Sequence, residues 1–538
     1  MSHWQHFQEN FLRDTTTGLS LDVSRMGFDP DFFDRMAPLC TKALDEMAAL
    51  EAGAIANPDE GRMVGHYWLR AAALAPTPAL QAEIERDIAA SESFAAAVHA
   101  GTIAAPSGRP FSRLLIIGIG GSALGPQLTT AALIDEWQAP VRTHFFDNTD
   151  PEGFQRILAE IGPDLATTLT VVISKSGGTP ETRNGMLAAE AAYAAAGLDM
   201  ARQAVAVTGT AAGGISSKLE AYAIEHGWLK IFPMTDWVGG RTSVMSTVGL
   251  VPLALQGGDI RAFLAGAAAV DERTRSAPAR QNMSLLLALA WHHAGGGQGA
   301  KDMVILPYKD RLALMSKYLQ QLVMESLGKQ HDRHGAIVNQ GIAVYGNKGS
   351  TDQHAYVQQL RDGVNNFFAT FIEVREASLT PQAEVDPGVT PGDYLQGFLR
   401  GTRSALYDNG RQSVTLSIPR VDAFHLGALI ALYERAVGFY ASLVDINAYH
   451  QPGVEAGKKA AAVFLALLGQ VRAALSSQPQ TADTVAATVA ATVAADPEDV
   501  WHCLNHLATN QPSIICTPGH SPATDTFALA PSTGLEGK

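Results

Sequence analysis

From about residue 113 onward, short β-branched apolar runs alternate with longer helical patterns. Such alternation is typical of right-handed β-α-β units and predicts parallel sheets. The predicted strands form two sets, at residues 114–117, 168–173, 204–208 and 229–232, and at residues 303–306, 342–345, 367–374 and 414–418. Glycine-rich and Ala-rich sequence across residues 257–300 separates the two sets and favours two α/β domains.

The two ends of the chain follow other patterns. Residues 1–105 are predicted to be helical, with a clear helical pattern at 80–99. After a predicted helix at 454–468, the tail has three short helical stretches and two short extended ones, at 513–516 and 526–529. This order resembles a winged helix-turn-helix, a fold often used on DNA.

Composition and charge narrow the functional classes. The chain of 538 residues is 46% apolar and 17% charged, with a net charge of −14, as expected of a soluble globular protein with several cores. A nucleic-acid surface needs a basic patch, whereas the tail from residue 476 carries six acidic residues and Lys538 as its one basic residue. We therefore expect no nucleic-acid partner and a structural or contact role for the tail.

Cysteine usage and hydropathy predict a cytoplasmic protein. Cys40, Cys503 and Cys516 lie far apart and form no CxxC, so a disulfide scaffold is not expected. The first residues lack a basic segment followed by an apolar one, and no run of about 18 apolar residues suggests a membrane span. We expect neither a signal peptide nor a membrane partner.

The loop at residues 174–179, SKSGGT, has the composition of an anion site. It follows the predicted strand 168–173 and precedes a helical pattern. Backbone N–H groups and the positive end of a helix dipole would face a bound anion, and glycines let it come close. Hydroxyl groups of Ser174, Ser176 and Thr179 can surround a phosphate. The loop predicts a phosphate group without naming the rest of the ligand.

A second glycine-rich turn, LIIGIGGSALGP at residues 115–126, follows the first predicted strand. Its third glycine is displaced from the position that a dinucleotide fingerprint requires. Asp135, the candidate for the acidic residue of that fingerprint, has no strand end before it. We therefore expect no nucleotide cofactor and interpret residues 118–122 as a backbone wall beside the phosphate.

The histidines form no pattern typical of a metal centre. His292 and His293 are adjacent, so their side chains diverge on a helix. His331 and His334 have helical ligand spacing, but Asp332 is the one nearby carboxylate, and the chain has no HExxH motif. We expect no metal and no cofactor.

Six segments resemble the glucose-6-phosphate isomerase family, in that family's order between about residues 115 and 460. They are IGIGGSALGP (117–126), SKSGGTPET (174–182), GGRTSVMSTVGL (239–250), VMESLGK (323–329), GNKGSTDQHAY (346–356) and QPGVEAGKK (451–459). The resemblance implies interconversion of D-glucose 6-phosphate and D-fructose 6-phosphate by a homodimer. Animal members carry larger residues where Gly177 and Gly178 stand, which shifts the emphasis here toward backbone N–H contacts.

The resemblance also implies an α/β fold with two doubly wound parallel sheets of the sugar-phosphate isomerase (SIS) type. We divide the chain into an N-terminal helical segment (1–105), a first SIS domain that binds phosphate (106–290), a second SIS domain with the catalytic base (291–470) and a winged-helix-like extension (471–538). The site is expected between the two α/β domains, at the carboxyl ends of their strands.

Roles for single residues follow from the same resemblance. Glu325 is implied as the base that moves a proton from C2 to C1, and Arg241 as the group that stabilises the enediolate. His354 and Lys458 are implied to open the sugar ring, with His354 reaching the site across the dimer interface. The implied substrate-binding residues are Gly121, Ser122, Ser174, Lys175, Ser176, Thr179, Gln321 and Gln451.

From the residues alone, other interpretations stay open. Glu325 lies on the predicted helix 311–327 and could be a surface carboxylate near Lys329, although its apolar neighbours argue against full exposure. Arg241 could anchor a domain interface, and Lys458 could be a solvated helix lysine.

Two alternative functions also stay open. A SIS-type regulator would bind a sugar phosphate without converting it, and it would need the phosphate loop but not the four catalytic residues together. An isomerase of broader specificity would also accept mannose 6-phosphate. The sequence does not separate the two sugars well, because they differ only at C2.

Overall fold

A computed structural model describes residues 2–275, 278–490 and 495–531, without the side chains of residues 454–456 and 458. The helices are α1 (His3–Glu9), α2 (Phe32–Glu51), α3 (Pro78–His99), α4 (Gly121–Leu133), α5 (Pro151–Ile161), α6 (Pro180–Ala195), α7 (Lys218–Glu225), α8 (Thr247–Leu255), α9 (Ile260–Arg275), α10 (Met283–Gly295), α11 (Met315–Leu319), α12 (Val357–Asp362), α13 (Pro391–Asp408), α14 (Ala423–Leu443), α15 (Pro452–Ala474), α16 (Ala482–Val489) and α17 (Pro497–Asn510). The strands are β1 (Phe11–Arg13), β2 (Ser20–Arg25), β3 (Arg113–Ile117), β4 (Arg142–Phe146), β5 (Thr168–Ser174), β6 (Ala204–Gly209), β7 (Lys230–Met234), β8 (Asp302–Pro307), β9 (Lys329–His331), β10 (Ile337–Gln340), β11 (Val344–Tyr345), β12 (Phe367–Val374), β13 (Ser413–Ile418), β14 (Ile514–Thr517) and β15 (Thr526–Leu529).

Residues 1–450 form one compact unit, the main unit, and residues 451–538 form another, the C-terminal unit. All eight predicted strands lie in the main unit, and each is confirmed to within two residues at either end. Most of their apolar runs are buried on both faces, as parallel strands covered by helices must be, while the edge strands β7 and β11 are only partly covered.

The first sheet of the main unit has five strands in the order β4-β3-β5-β6-β7, and all neighbours are parallel. The strand order reverses between β3 and β5, and ligands of open α/β sheets bind at the carboxyl ends of such a pair. The two glycine-rich turns follow β3 and β5. Strand β4 is not predicted from the sequence. The apolar pattern of this edge strand is interrupted by Arg142, Thr143 and His144.

The second sheet has six strands in the order β1-β2-β13-β12-β8-β11. The four strands from β13 to β11 are parallel, whereas β2 pairs antiparallel with β13 and β1 with β2. The prediction that residues 1–105 are helical is therefore wrong for β1 and β2. The polar Asp22 interrupts the apolar pattern of β2 in the sequence. In the folded chain this residue is buried in an ion pair with Arg403.

Helix α14 forms the centre of the main unit and packs against α9 and α10. Among the described residues it is the one helix long and apolar enough to cross a membrane, and its apolar stretch lies entirely inside the protein. It carries the buried charges Glu434 and Arg435, which ion-pair with Arg70, Glu51 and Asp271.

The C-terminal unit has its own hydrophobic core, to which α15, α16, α17 and β15 contribute. Strands β14 and β15 pair antiparallel, in the places where the sequence predicts extended segments. The winged-helix interpretation stays a prediction.

Candidate functional site

The glycine turn after β3 lies directly against the segment that carries Arg241. A Cβ atom at Gly121 would stand 1.9 Å from the carbonyl oxygen of Gly240, so no larger residue fits there without a backbone shift. A Cβ atom at Gly120 would lie 3.1 Å from Nε2 of Gln321. Ser122 follows in the first turn of α4 and is half-buried. The turn thus brings Gly121, Ser122, Gln321 and Arg241 to one edge of the sheet.

The loop after β5 folds around its own hydroxyl groups. The buried Ser174 Oγ accepts the Gly177 N–H at 3.1 Å and lies 3.4 Å from Thr179 Oγ1, while Ser176 Oγ accepts the Gly178 N–H at 3.2 Å. Thr179 stands at the N-cap of α6. This places the positive end of the α6 dipole beside exposed loop groups, an arrangement suited to a phosphate.

Gly177 makes the shape of this loop possible. Its φ is +65°, and a Cβ atom there would stand 2.1 Å from the backbone nitrogen of Leu219. Both the conformation and the close approach therefore require glycine. Gly178 has no such restriction, since a Cβ atom there would meet Ser176 Oγ at an ordinary 3.6 Å.

Lys175 has partners that the sequence does not predict. Its Nζ donates to the carbonyl groups of Asp236 at 3.0 Å and Val238 at 3.2 Å, and lies 3.5 Å from the Asp236 carboxylate. Burial lowers the pKa of this lysine. In this structure Lys175 ties the phosphate loop to the segment before Arg241, and its predicted contact with phosphate stays a prediction.

Glu325 and Arg241 form a buried pair in the main unit. Arg241 Nε lies 3.8 Å from Glu325 Oε2, and the two side chains are 4% and 18% exposed. Burial lowers the pKa of Arg241, and the Glu325 charge opposes that shift. Glu325 Oε2 accepts no hydrogen bond from any described residue. A carboxylate oxygen in this state can accept a proton from a substrate.

The helix that carries Glu325 differs from the predicted helix 311–327. The chain forms a short 3₁₀ turn, then α11, and then a π-helical turn at Gln320–Glu325. Sequence periodicity does not distinguish a π turn from an α-helix, and π turns are frequent at functional sites. The interpretation of Glu325 as an exposed surface carboxylate is wrong, because most of its side chain is covered.

The importance of Lys329 is not predicted from the sequence, where this residue is a possible surface neighbour of Glu325. Lys329 is 4% exposed, and its Nζ donates to the carbonyl group of Glu325 at 2.7 Å and to that of His450 at 3.2 Å. Burial, reinforced by the nearby Arg241, lowers the pKa of Lys329 to about 8. In the sequence, the sign of this role is that Lys329 lies four residues after Glu325, the proposed base.

The other predicted residues come from separate segments of the chain. His354 is exposed at the end of a 3₁₀ turn, Asp352–His354. Gln451 and Lys458 belong to the C-terminal unit, where Gln451 is exposed at the N-cap of α15. The side chain of Lys458 lies outside the described residues.

A small cavity of about 40 Å³ is lined in part by Arg241, His66, Ser326 and Glu434. It is far smaller than a site for a sugar phosphate, which needs a few hundred Å³. Among the described residues, no group of three or more His, Cys, Asp and Glu side chains could hold a metal ion.

The chain is similar to known proteins in sequence and in fold. A family model described as phosphoglucose isomerase matches residues 23–385 and 401–485. The chain is 58% identical over 514 residues to a glucose-6-phosphate isomerase of Synechococcus elongatus, covering 96% of each, and 57% identical over 510 residues to one of Geobacter sp. strain M21, covering 94% of this chain and 95% of that one. The crystal structure of a glucose-6-phosphate isomerase from Chlamydia trachomatis superimposes with a TM-score of 0.77 at 26% identity, over 87% of this chain and 91% of that one.

Proposed function

The chain belongs to the phosphoglucose isomerase family, and on that premise we propose that it interconverts D-glucose 6-phosphate and D-fructose 6-phosphate. The observation that carries the proposal is the pair of Glu325 and Arg241, 3.8 Å apart beside the glycine turn at Gly121. An aldose–ketose isomerisation needs one base and one stabiliser of negative charge. The pair supplies both.

The phosphate group of the substrate binds at the loop 174–179 with Ser122 nearby, and Gln321 and Gln451 hold sugar hydroxyls or the phosphate. Glu325 removes the proton from C2 of the open-chain aldose, which leaves a cis-enediolate. The same carboxyl group returns the proton to C1 while a proton passes from O2 to O1, so the product is the ketose. Arg241 stabilises the negative charge on the two oxygens during the transfer.

His354 and Lys458 open the sugar ring before this step, and His354 comes from the second subunit of a homodimer. The exposure of His354 and the internal bonding of the preceding loop support its role. The loop is closed on the buried Asp352, whose carboxylate accepts the Asn347 N–H at 2.9 Å and the Tyr356 hydroxyl at 2.6 Å.

The proposal includes a cytoplasmic location, no metal or cofactor, and neither nucleic acid nor membrane as a partner. The net charge of −14 supports the exclusion of nucleic acid. The two sheets support the proposed SIS domains at 106–290 and 291–470, with the difference that β1 and β2 of segment 1–105 extend the second sheet.

A coupled assay tests the activity. Conversion of fructose 6-phosphate is followed with glucose-6-phosphate dehydrogenase for the wild type, Glu325→Gln and the control Glu85→Gln, which changes an exposed glutamate of α3. Loss of the base should lower kcat about 10²–10⁴-fold, while the control stays at the wild-type rate. No turnover by folded dimeric wild type, or full turnover by Glu325→Gln, would contradict the proposal.

The two alternative functions give different results in the same experiments. A regulator would bind fructose 6-phosphate but leave it unchanged. An isomerase of broader specificity would also convert mannose 6-phosphate, which passes through the same enediolate because the two sugars differ only at C2. Selectivity between the two aldoses depends on the face of C2 at which Glu325 adds or removes the proton.

A further inference from the structure

Lys329 is a buried cation that binds the backbone of the proposed base. It lies in β9, directly after the π-helical turn, and its Nζ donates to the carbonyl group of Glu325 at 2.7 Å. The Lys329 ammonium therefore fixes the backbone end of the Glu325 side chain and leaves the carboxylate to face Arg241.

The second acceptor of Lys329 links it to Arg241. The carbonyl group of His450 accepts Lys329 Nζ at 3.2 Å and Arg241 Nη2 at 3.2 Å. One backbone oxygen thus joins the two cations, and through Lys329 it joins the base as well. A change in the position of this oxygen would move both members of the catalytic pair.

The His450 carbonyl is itself held in place. Asn447 Oδ1 accepts the Tyr449 N–H at 2.9 Å, and the His450 ring lies 3.2 Å from the Asn447 carbonyl. Asn447 Nδ2 in turn donates to Asp59 at 2.5 Å and to Asn57 at 3.0 Å. The turn at 447–450 is therefore fastened to the segment 57–59 and offers a fixed acceptor.

The charges that face Lys329 are of both signs. Arg241 disfavours its protonated form, whereas Glu325 and Asp59 favour it. Burial, reinforced by Lys329, lowers the pKa of the half-buried His450, and Asp59 opposes that shift. The protonated form is the one that can donate to both carbonyl groups and retain its attraction for Glu325. Its environment places the loss of this proton near pH 8.

We propose that Lys329 is a positioning residue for the isomerisation, which holds the carbonyl groups of Glu325 and His450 together and so keeps the Glu325 carboxylate and the Arg241 guanidinium at their working separation. The inference rests on the proposed isomerase activity. It deepens that proposal by assigning a task to a lysine for which the sequence suggests no role.

The chain offers a matched control for this lysine. Lys309 Nζ also donates to two carbonyl groups, those of Glu376 at 3.1 Å and Ala377 at 2.6 Å, and burial also lowers its pKa. No described contact connects Lys309 with Arg241 or Glu325. A lysine that only stabilises the fold should behave as Lys309 does.

The experiment compares Lys329→Met, Lys329→Arg and Lys309→Met with the wild type in the coupled assay. A displacement of about 1 Å in a catalytic group can cost about 100-fold in rate, so Lys329→Met should lower kcat by roughly that factor with KM changed less than about threefold. Lys329→Arg should recover part of kcat. Lys309→Met should keep both constants, and its melting temperature shows what the loss of two carbonyl contacts does to stability alone.

The pH profile separates positioning from folding. The wild-type kcat should fall as the pH rises through about 8, and this fall should move to higher pH in Lys329→Arg, because a guanidinium keeps its proton there. A folded Lys329→Met with wild-type kcat would overturn the proposal, as would a Lys329→Arg profile identical to that of the wild type. If Lys329→Met does not fold, the profile of Lys329→Arg decides. An inactive wild type would instead contradict the proposed function itself.

Discussion

The phosphate loop and the catalytic pair are built in opposite ways. The loop 174–179 is one contiguous, partly exposed stretch whose hydroxyl and N–H groups come from neighbours in sequence. The pair of Arg241 and Glu325 is buried, comes from distant segments, and depends on a backbone oxygen of His450. The glycines and hydroxyl groups of the loop can therefore be recognised in the sequence, whereas the proximity of Arg241 and Glu325 depends on contacts that only the folded chain creates.

After loss of the proposed base, removal of Arg241 should give the largest effect on kcat and should leave the loop 174–179 intact. Arg241→Met should lower kcat about 10²–10³-fold, as the loss of one group that stabilises a developing oxyanion does. KM should change much less, because the loop 174–179 still binds the phosphate. Steady-state kinetics with fructose 6-phosphate measures both constants.

Arg411→Met is the matched control for this change. Arg411 donates to the carbonyl groups of Leu360, Arg361 and Gly363, far along the chain from the catalytic pair. Its loss should lower the melting temperature but not kcat. If Arg411→Met reduced kcat as much as Arg241→Met, the fall in kcat would reflect a general loss of stability and not a role of Arg241 beside Glu325.

Lys329 should make the stability of the region around Arg241 and Glu325 depend on pH. Its folded pKa is about 8, below its ordinary value of 10.5, so between these values the unfolded chain binds more protons than the folded one. The penalty for burying its charge is complete below pH 8 and is relieved as the pH rises to 10.5. Relative to Lys329→Met, the free energy of unfolding of the wild type should rise by up to about 3 kcal/mol over this window.

Urea unfolding of the two proteins at pH 7.5 and pH 10 measures this difference, and other titrating groups cancel between them. The sign is opposite to that of activity, which should fall over the same window. A difference that stays constant with pH would show that Lys329 does not change its protonation state there.

Backbone strain in the loop 174–179 should lower stability and raise KM, and these changes should be smaller than the effects above. Gly177→Ala forces a Cβ atom to within 2.1 Å of the Leu219 backbone nitrogen at a φ of +65°, and should cost about 2 kcal/mol of stability and raise KM. Gly178→Ala is the control, since its Cβ atom finds ordinary room. Thermal melting and KM for fructose 6-phosphate should separate the two variants, and equal behaviour would contradict the loop geometry.

The smallest expected effect tests a single hydroxyl. Thr179→Val keeps the volume but removes one donor to the phosphate, and a hydrogen bond to a charged group is worth about 1.5–3 kcal/mol. KM should rise about tenfold or more while kcat stays within a factor of about two, because uniform binding is lost. A fall in kcat with unchanged KM would place Thr179 in the chemistry instead.

Particular residues show how far the sequence predicts this molecule. The strands β5, β6 and β12 follow from their unbroken apolar runs, and the loop 174–179 follows from its glycines and hydroxyls. The edge strand β4 and the antiparallel β2 escape prediction because polar residues such as Asp22 interrupt them and are neutralised only by distant partners.

The catalytic region is less predictable for the same physical reason. The resemblance to a known family names Glu325 and Arg241, but the π turn, the burial of Lys329 and the shared His450 carbonyl have no signature in a local pattern. Lys175 shows the limit within the loop itself, since its bonds to Asp236 and Val238 depend on a segment about sixty residues away.

The most direct test of the central claim follows the proton that Glu325 moves. Fructose 6-phosphate is incubated in D₂O with the wild type, Glu325→Gln or Glu85→Gln, and proton NMR follows deuterium entering C1 of the ketose and C2 of the aldose. The account predicts conversion with deuterium at these carbons for the wild type and Glu85→Gln, and both conversion and exchange slowed at least about 100-fold for Glu325→Gln. Exchange at the wild-type rate in a folded Glu325→Gln would contradict it.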